Sequence, residues 1–270
     1  MRRRLFGGEG PRGPRRRRWQ SLREKRGRGI FLLPSLLTTA NLFSGFLAVL
    51  LTSHGRYAEA AVAILAAILL DILDGKVARL TSTTTQFGLE FDSLADVVSF
   101  CVAPAFLLYA WALSHLGRAA WLASFLFVIC GALRLARFNV HSAVTDRRYF
   151  VGLPTPAAAG LAAAAVLLFS ESEEMSRWEL LAIGAATYVV ALLMVSTFRY
   201  WSFKEVDLGR RRPVGLLVEV VLGVLIIATA PYIFVFTLFG LYVVSGPARR
   251  LWMRRPEGVV TEDTERSEGR

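Results

Sequence analysis

Cysteine and histidine are scarce in this chain, which has two cysteines and three histidines among its 270 residues. Both cysteines, Cys101 and Cys130, lie inside apolar stretches, which predicts small buried side chains and not a disulfide framework. The histidines are scattered, and no group of histidine and cysteine has the spacing of a zinc site. The sequence therefore argues against a disulfide-stapled fold and against zinc chemistry.

The first 29 residues lack any continuous apolar run and are rich in arginine, including Arg15 to Arg18. Without an apolar run, this segment is not expected to be a cleavable signal peptide. No basic and aromatic recognition module follows it, which argues against nucleic acid as a partner. We expect residues 1–29 to form a disordered cytoplasmic tail that orients the protein and contacts anionic membrane lipids.

Apolar residues make up 54% of the chain and fall into windows of membrane-helix character. This pattern predicts an all-α fold, a polytopic integral membrane helical bundle with about eight transmembrane helices. Pro231 separates the last two windows, so we expect a six-helix core followed by a C-terminal hairpin. One transmembrane domain should cover 30–250, and the polar residues 251–270 should form a disordered cytoplasmic tail. The windows are 31–52, 58–79, 89–113, 119–138, 153–170, 178–198, 215–230 and 232–248.

Basic residues concentrate in alternate loops between the predicted helices. The 199–214 loop is rich in arginine and lysine, and another basic group follows the last apolar window. The 171–177 loop is acidic instead. Because basic loops tend to face the cytoplasm, we expect both termini there. The end of the second helix and the start of the third, which the connection 80–87 joins, should lie on the same side. The expected location is the cytoplasmic (inner) cell membrane, which the chain would cross several times.

Four aspartates interrupt the apolar pattern where the second and third predicted helices meet. Asp71 and Asp74 are three residues apart, and Asp92 and Asp96 are four apart, so each pair shares a helix face. The short connection 80–87 makes the two helices antiparallel neighbours, and the two faces can oppose each other. A carboxylate is costly in hydrocarbon and marks a candidate functional site. Four of them predict a site for magnesium or manganese, which prefer oxygen ligands.

The residues around the aspartates favour an anionic ligand. Gly75 and Gly88 lack side chains, so a large ligand can approach the backbone there. Arg79 can bind an anionic group, and the threonine and serine run 81–85 offers hydroxyl donors at the membrane surface. Two alternatives to a metal site stay open for the aspartates. They could form ion pairs with Lys76 and Arg79, or they could line an ion or proton pathway in a transporter.

The aspartate run resembles the signature of the CDP-alcohol phosphatidyltransferases, D-x2-D-G-x2-A-R-x8-G-x3-D-x3-D. The resemblance implies a six-helix core, usually a homodimer, with two divalent ions, Mg2+ or Mn2+, in a site open to the cytoplasm. Every fixed position of the signature is matched, by Asp71, Asp74, Gly75, Ala78, Arg79, Gly88, Asp92 and Asp96.

The same resemblance implies roles for these residues. Asp71, Asp74 and Asp92 would be metal ligands. Asp96 would be both a ligand and the base that deprotonates the incoming alcohol. The remaining positions of the signature would hold the CDP part of the lipid substrate, together with the nearby hydroxyl of Thr85. These positions are Gly75, Ala78, Arg79 and Gly88.

Three further segments resemble the branch of the family that makes phosphatidylserine. They begin at Leu33, Gly131 and Gly152, and with the signature they cover most of 31–160. Ser35 departs from the branch, which commonly has asparagine there. The resemblance implies CDP-diacylglycerol and L-serine as substrates, with phosphatidylserine and CMP as products. Glycerol 3-phosphate or an inositol phosphate is an alternative acceptor.

Polar residues on the first and fourth predicted helices complete the set of candidates. Thr38, Asn41 and Gly45 recur at helical spacing and could face the nucleotide, although the same stripe could serve helix packing. Arg134 and Arg137 lie at the depth of the aspartates. Arginine binds carboxylates and phosphates in bidentate geometry, so both are candidates for binding the acceptor or another anion. The alternative is that they extend to the lipid headgroups.

Overall fold

A computed structural model of the protein describes residues 14–81, 85–141, 149–170, 175–201 and 229–253. These residues are almost entirely helical, which confirms the prediction of an all-α fold. Two very short strands and a 3-10 turn, Leu113–Leu116, complete the secondary structure of the described residues. The helices are α1 (Pro14–Ser53), α2 (Tyr57–Thr81), α3 (Gln86–Asp96), a π-helical segment (Val97–Val102), α4 (Ala103–Trp111), α5 (Arg118–His141), α6 (Thr155–Phe169), α7 (Arg177–Val195) and α8 (Pro231–Met253).

Several of these helices are long enough to cross a membrane. Five described stretches combine sufficient length with sufficient apolar character, and α6 is a shorter apolar helix. Helix α2 is apolar over its first part and charged at its end, where the aspartates lie. The five stretches support a multi-pass membrane protein. Residues 215–228 of the predicted helix 215–230 lie outside the described residues. The five stretches are Pro34–Ser53, Gln86–Trp111, Arg118–Val140, Arg177–Val195 and Pro231–Arg250.

Helix α1 begins earlier than the sequence predicts. It runs without a break from Pro14 to Ser53, so residues 14–29, predicted to be a disordered tail, are helical. Arginine and lysine are good helix formers, and extending an existing helix is far easier than nucleating a new one. The apolar part of α1 therefore allows the helix to extend toward the N-terminus through the basic residues.

A pair of three-residue strands joins the 139–152 loop to the 199–214 loop, both of which the positive-inside pattern predicts to face the cytoplasm. Strand β1 (Tyr149–Val151) pairs antiparallel with β2 (Arg199–Trp201), with Phe150 opposite Tyr200. The strands follow α5 and α7 in the chain, so the ends of these two helices lie on the same side of the bundle. The Tyr200 side chain is buried, and its hydroxyl donates to the Val243 carbonyl of α8 at 3.1 Å. The loop after α7 is thereby attached to the last helix.

Small residues allow the helices to approach closely. Helix α6 buries a series of alanines and packs chiefly against α2 and α8. At Gly160 a Cβ atom would lie 2.3 Å from the Phe239 ring of α8, and at Gly45 it would lie 2.3 Å from Ser99 Oγ. Such contacts through small side chains are typical of helix packing in membranes.

Large apolar side chains cover the outside of the bundle. In a lipid bilayer an exposed apolar side chain is favourable, and the close packing inside the bundle depends on shape complementarity instead. The exposed set therefore has the composition expected of a lipid-facing surface. Examples are Leu36, Phe43, Leu69, Leu94, Phe125, Leu192 and Leu241.

Candidate active site

Three of the four signature aspartates converge between α2 and α3. One carboxylate oxygen from each of Asp71, Asp92 and Asp96 lies within 4.8 Å of the others, and all three side chains are half-buried. The four-residue spacing of Asp92 and Asp96 places both on one face of α3, and Asp71 approaches them from α2. The two helix faces therefore oppose each other, as the spacing predicts.

The fourth aspartate is turned toward α1. Asp74 is buried, and its Oδ2 accepts a hydrogen bond from the hydroxyl of Thr38. Thr38 Oγ1 also lies 3.1 Å from the Pro34 carbonyl oxygen. The Oδ1 atom of Asp74 is buried and has no hydrogen-bond partner. One oxygen of Asp74 is thus fixed by α1, and the other is left without a partner.

Asn41 connects α1 to the acidic cluster. Its side chain is fully buried, and Nδ2 donates to Asp96 Oδ1 at 3.3 Å. Ser99, in the π-helical segment, donates from its hydroxyl to the Asn41 carbonyl at 3.0 Å. Thr38 and Asn41, which the sequence assigned to the nucleotide, therefore both contact signature aspartates, and their contact with a nucleotide stays a prediction.

The donor set of the cluster fits a divalent cation. Asp71, Asp92 and Asp96 present oxygen atoms close together, and Asp92 Oδ1 is buried without a hydrogen-bond partner, like that of Asp74. A buried carboxylate oxygen without a partner is unfavourable unless a positive group neutralises it. Oxygen ligands of this kind are those that magnesium and manganese prefer. The cluster could thus hold a metal ion.

Ion pairing does not account for the cluster within the described residues. Among the side chains that the structure describes, none of the lysines or arginines lies within 4.0 Å of these carboxylates, and the ion pair present joins Arg56 and Glu59. Arg79 is exposed, and its Nε donates to the Gly75 carbonyl of its own helix at 2.8 Å. Interhelical ion pairs with Lys76 and Arg79, the alternative left open by the sequence, are therefore not formed.

Residues predicted to hold the nucleotide lie around the α2–α3 connection. At Gly75 a Cβ atom would meet nothing within 4 Å, so packing within the described chain does not require glycine there. Ala78 is half-buried one turn further along α2. Thr85 is the N-cap of α3, and its Oγ1 accepts a hydrogen bond from the Gly88 backbone at 3.0 Å. Nucleotide binding by these residues stays a prediction.

Arg134 lies inside the bundle, beside the start of α6. Its side chain is buried, and NH1 donates to Thr155 Oγ1 at 3.1 Å. The Nε atom is buried and has no hydrogen-bond partner. The guanidinium also lies over the Phe138 ring, 5.9 Å from the ring centroid. A buried guanidinium that is only partly bonded is well suited to binding an anion.

Arg137 makes different contacts from Arg134. Its NH1 donates to the Val195 carbonyl at 3.0 Å, and its NH2 donates to the Val151 carbonyl at 2.9 Å. NH2 also lies 3.4 Å from the Ser196 carbonyl oxygen. Arg137 therefore ties the end of β1 to the end of α7, and its predicted role in anion binding stays a prediction.

Two contacts fix the level of Arg134 relative to Asp96. Gly131 of α5 packs against Cys101, since a Cβ atom there would lie 2.5 Å from the sulfur, and Asn139 donates to Ser93 Oγ at 2.8 Å. Helix α5 runs antiparallel to α3 and the π-helical segment, so position 131 is level with Cys101 and position 139 is level with Ser93. Asp96 is then level with position 136, two residues from Arg134. At 1.5 Å per residue, the offset along the axis is about 3 Å. Arg134 and Asp96 thus lie at the same depth.

The π-helical segment is a feature of the site that the apolar pattern did not predict. It begins at Val97, directly after Asp96, and ends at Val102. Single π turns inside α-helices often occur at functional sites. A local signal is present in the sequence: Pro104 cannot donate a backbone hydrogen bond, which disturbs the helix one turn before it. The sequence pattern also did not identify Thr155 as a site residue, because its hydrogen-bond partner, Arg134, lies on another helix.

Known proteins resemble the chain over most of its length. Residues 31–198 match the sequence model of the family described as CDP-alcohol phosphatidyltransferase. The chain is 38% identical over 225 residues to CDP-diacylglycerol–serine O-phosphatidyltransferase of Helicobacter pylori strain J99, across 83% of this chain and 93% of the relative. It is 40% identical over 173 residues to the protein of that name from Methanocaldococcus jannaschii, across 64% of this chain and 75% of the relative. It is 38% identical over 181 residues to archaetidylserine synthase of Methanothermobacter thermautotrophicus, across 66% of this chain and 73% of the relative.

Proposed function

Because the chain belongs to the CDP-alcohol phosphatidyltransferase family, we propose that it transfers the phosphatidyl group of CDP-diacylglycerol to the hydroxyl of L-serine. The products are phosphatidylserine and CMP. Two of the relatives described above are named for the reaction with serine, and a third is named archaetidylserine synthase. Serine is therefore the acceptor that the similarity supports best.

The observation that carries this proposal is the convergence of Asp71, Asp92 and Asp96 in the geometry that the signature predicts. With Asp74, these carboxylates would hold two divalent ions, Mg2+ or Mn2+. When bound, the ions neutralise charge on the pyrophosphate and on the departing phosphate. In phosphoryl transfer, positioning and electrostatic stabilisation account for most of the catalysis, which suits a site built of carboxylates.

Asp96 is the proposed general base. The serine hydroxyl is a poor nucleophile while it is protonated, so a carboxylate within hydrogen-bond reach is needed. Asp96 accepts the hydroxyl proton as the serine oxygen bonds to the phosphorus that carries diacylglycerol. The bond between that phosphorus and the CMP oxygen breaks, and CMP leaves. The hydrogen bond from Asn41 to Oδ1 holds the carboxylate in one orientation.

The substrates occupy two sides of the cluster in this proposal. The CDP part lies against the α2–α3 connection, where Gly75 leaves open space and Arg79 is exposed. The acceptor lies on the side of α5, where Arg134 binds the serine carboxylate. Support for this choice comes from its depth, level with Asp96, and from its buried Nε without a partner. Arg137 is the weaker candidate because backbone carbonyls engage its guanidinium.

The proposal places the site at the cytoplasmic face of the cell membrane, with both termini in the cytoplasm. The β1–β2 pair supports a common side for the two basic loops that the positive-inside rule assigns there. Membrane lipids surround the exposed apolar surface. We also propose a homodimer, on the strength of the family resemblance alone.

The test is CMP release from CDP-diacylglycerol by the purified protein with a panel of alcohols. The expected result is release that depends on L-serine, with phosphatidylserine as the lipid product. Release only with glycerol 3-phosphate or an inositol phosphate would keep the chemistry and change the acceptor. No release with any alcohol would contradict the enzymatic proposal and favour the transporter alternative.

A further inference from the structure

The segment Gly152–Pro156 links β1 to α6 and contacts both arginines of α5. Gly152 has a φ of +82°, and a Cβ atom there would lie 2.3 Å from the Met194 carbonyl oxygen and 2.7 Å from the Arg137 guanidinium. Its backbone N–H donates to the Phe198 carbonyl at 2.8 Å. Only glycine fits this turn, so the path of the chain into α6 is tightly fixed.

Two prolines fix the start of α6. Pro154 is its N-cap, Pro156 lies in its first turn, and the helix begins at Thr155. Proline suits the first turn because its missing N–H would have no partner within the helix. The backbone N–H of Leu153 donates to the Leu193 carbonyl at 3.0 Å. Thr155 is thereby held at one position, where it is fully buried.

The Thr155 hydroxyl is used differently from those of two other buried threonines. Thr52 and Thr187 donate to carbonyls of their own helices, those of Ala48 and Ile183. Thr155 instead accepts from the Arg134 guanidinium of a different helix, at 3.1 Å. The bond joins two buried side chains far apart in the sequence.

We propose that Thr155 is a positioning residue, which holds the Arg134 guanidinium in place for the carboxylate of the acceptor alcohol. This inference rests on the proposed function, in which Arg134 binds that carboxylate. A free arginine side chain has many rotamers, and fixing it before the substrate arrives lowers the cost of ordering it on binding. Thr155 fixes one nitrogen of the guanidinium and leaves the rest of it for the ligand.

The test compares Thr155→Val with Thr155→Ser in steady-state assays of CMP release. Valine keeps the shape of threonine but removes the hydroxyl, whereas serine keeps the hydroxyl. We expect Thr155→Val to raise KM for serine about 10- to 150-fold, the range of one hydrogen bond to a charged group. KM for CDP-diacylglycerol should stay within about twofold of wild type, and Thr155→Ser should restore most of the affinity for serine.

Two comparisons show whether Thr155 acts through Arg134. In an Arg134→Ala background, Thr155→Val should add less than about a twofold further rise in KM for serine, because the donor to Thr155 is already removed. Ethanolamine is serine without the carboxylate, and its turnover should be equally low in wild type and Thr155→Val. The matched control is Thr52→Val, which removes a buried hydroxyl away from the site and should leave both KM values unchanged.

Several results would overturn the inference. One is a fall in kcat with KM for serine unchanged, and another is an equal loss of CDP-diacylglycerol affinity, which would indicate a structural defect. A KM rise in Thr155→Ser as large as in Thr155→Val would show that the hydroxyl is not responsible. Wild-type protein that releases no CMP with serine would contradict the proposed function itself, so the two failures are distinguishable.

Discussion

Asp96 occupies the junction between α3 and the π-helical segment, with Oδ1 bonded to Asn41. Asp96→Asn removes the proton acceptor but retains most of the shape. Loss of a general base typically lowers the rate about 10²- to 10⁴-fold, and a weakened metal contact would add to this. CDP-diacylglycerol should still bind, because Asp71, Asp74 and Asp92 are retained. The measurement is serine-dependent CMP release beside a binding assay for CDP-diacylglycerol.

The two readouts for Asp96→Asn separate its possible roles. Retained catalysis would place the base elsewhere. Loss of both catalysis and lipid binding would make Asp96 chiefly a metal ligand.

Asp92 has a buried oxygen without a partner, which is the property expected of a metal ligand in this site. Asp92→Asn replaces a charged ligand by a neutral amide, so we expect it to abolish CMP release and weaken metal binding. Titration of the protein with manganese would show the weaker affinity directly. Wild-type turnover in this variant would contradict the assignment of Asp92 as a ligand.

The two arginines of α5 should respond differently to substitution. Arg134→Ala should raise KM for serine, since it removes the proposed carboxylate partner. Arg137→Ala should chiefly lower thermal stability, because it removes charged hydrogen bonds to the carbonyls of Val151 and Val195. Hydrogen bonds to charged groups are worth about 1.5–3 kcal/mol. Unchanged kinetics in Arg134→Ala together with a raised KM in Arg137→Ala would reverse the assignment.

Helix α1 packs closely against the π-helical segment that follows Asp96. At Gly45 a Cβ atom would lie 2.3 Å from Ser99 Oγ and 2.6 Å from Ser99 Cα, so the neighbouring backbone would have to move. We expect Gly45→Ala to cost about 1–3 kcal/mol of stability and to lower CMP release, since the displaced segment follows the proposed base. Thermal unfolding and CMP release are the measurements.

The matched control for this contact is Gly240→Ala in α8. A Cβ atom at Gly240 would meet nothing within 4 Å, and alanine is the better helix former, so this variant should be as stable as wild type or slightly more so. A tolerated Gly45→Ala variant with wild-type activity would show that the close contact does not fix Asp96.

The sequence predicts the helices of this protein better than it predicts the details between them. Apolar windows locate α2 and α5 because lipid contact and burial both favour apolar side chains, and i, i+4 spacing correctly places Asp92 and Asp96 on one face. The apolar pattern does not predict the π-helical segment, since its residues are almost all apolar and their periodicity cannot distinguish α from π winding. It does not predict the β1–β2 pair either, because such short strands depend on tertiary contacts.

Partners that come from different helices are also hidden from a single sequence. Asp74 shares its signature with Asp71, yet its Oδ2 is bonded to Thr38 of α1. Arg134 and Arg137 are three residues apart on one helix, yet one contacts a threonine hydroxyl and the other contacts backbone carbonyls. The spacing predicts which residues lie near the site, and the packing decides what each of them contacts.

At the scale of the whole molecule, the packing of α1, α2 and α3 brings four carboxylates to one end of an apolar bundle. Within the described residues no ion pair offsets their charge. Like charges this close repel each other, and the cost is greater in a medium of low dielectric than in water. The folded bundle should therefore be more stable with divalent cations than without them.

We expect exhaustive chelation to abolish CMP release and to lower the thermal unfolding temperature of the protein. Binding to the folded state alone stabilises it by about 2.7 kcal/mol at a ligand concentration 100 times Kd, so the shift should be measurable. Magnesium or manganese added back should restore both properties. In Asp92→Asn the cation-dependent shift should be smaller, which ties the stabilisation to the cluster. Full activity after chelation would contradict the metal-assisted reaction, whatever the thermal measurement shows.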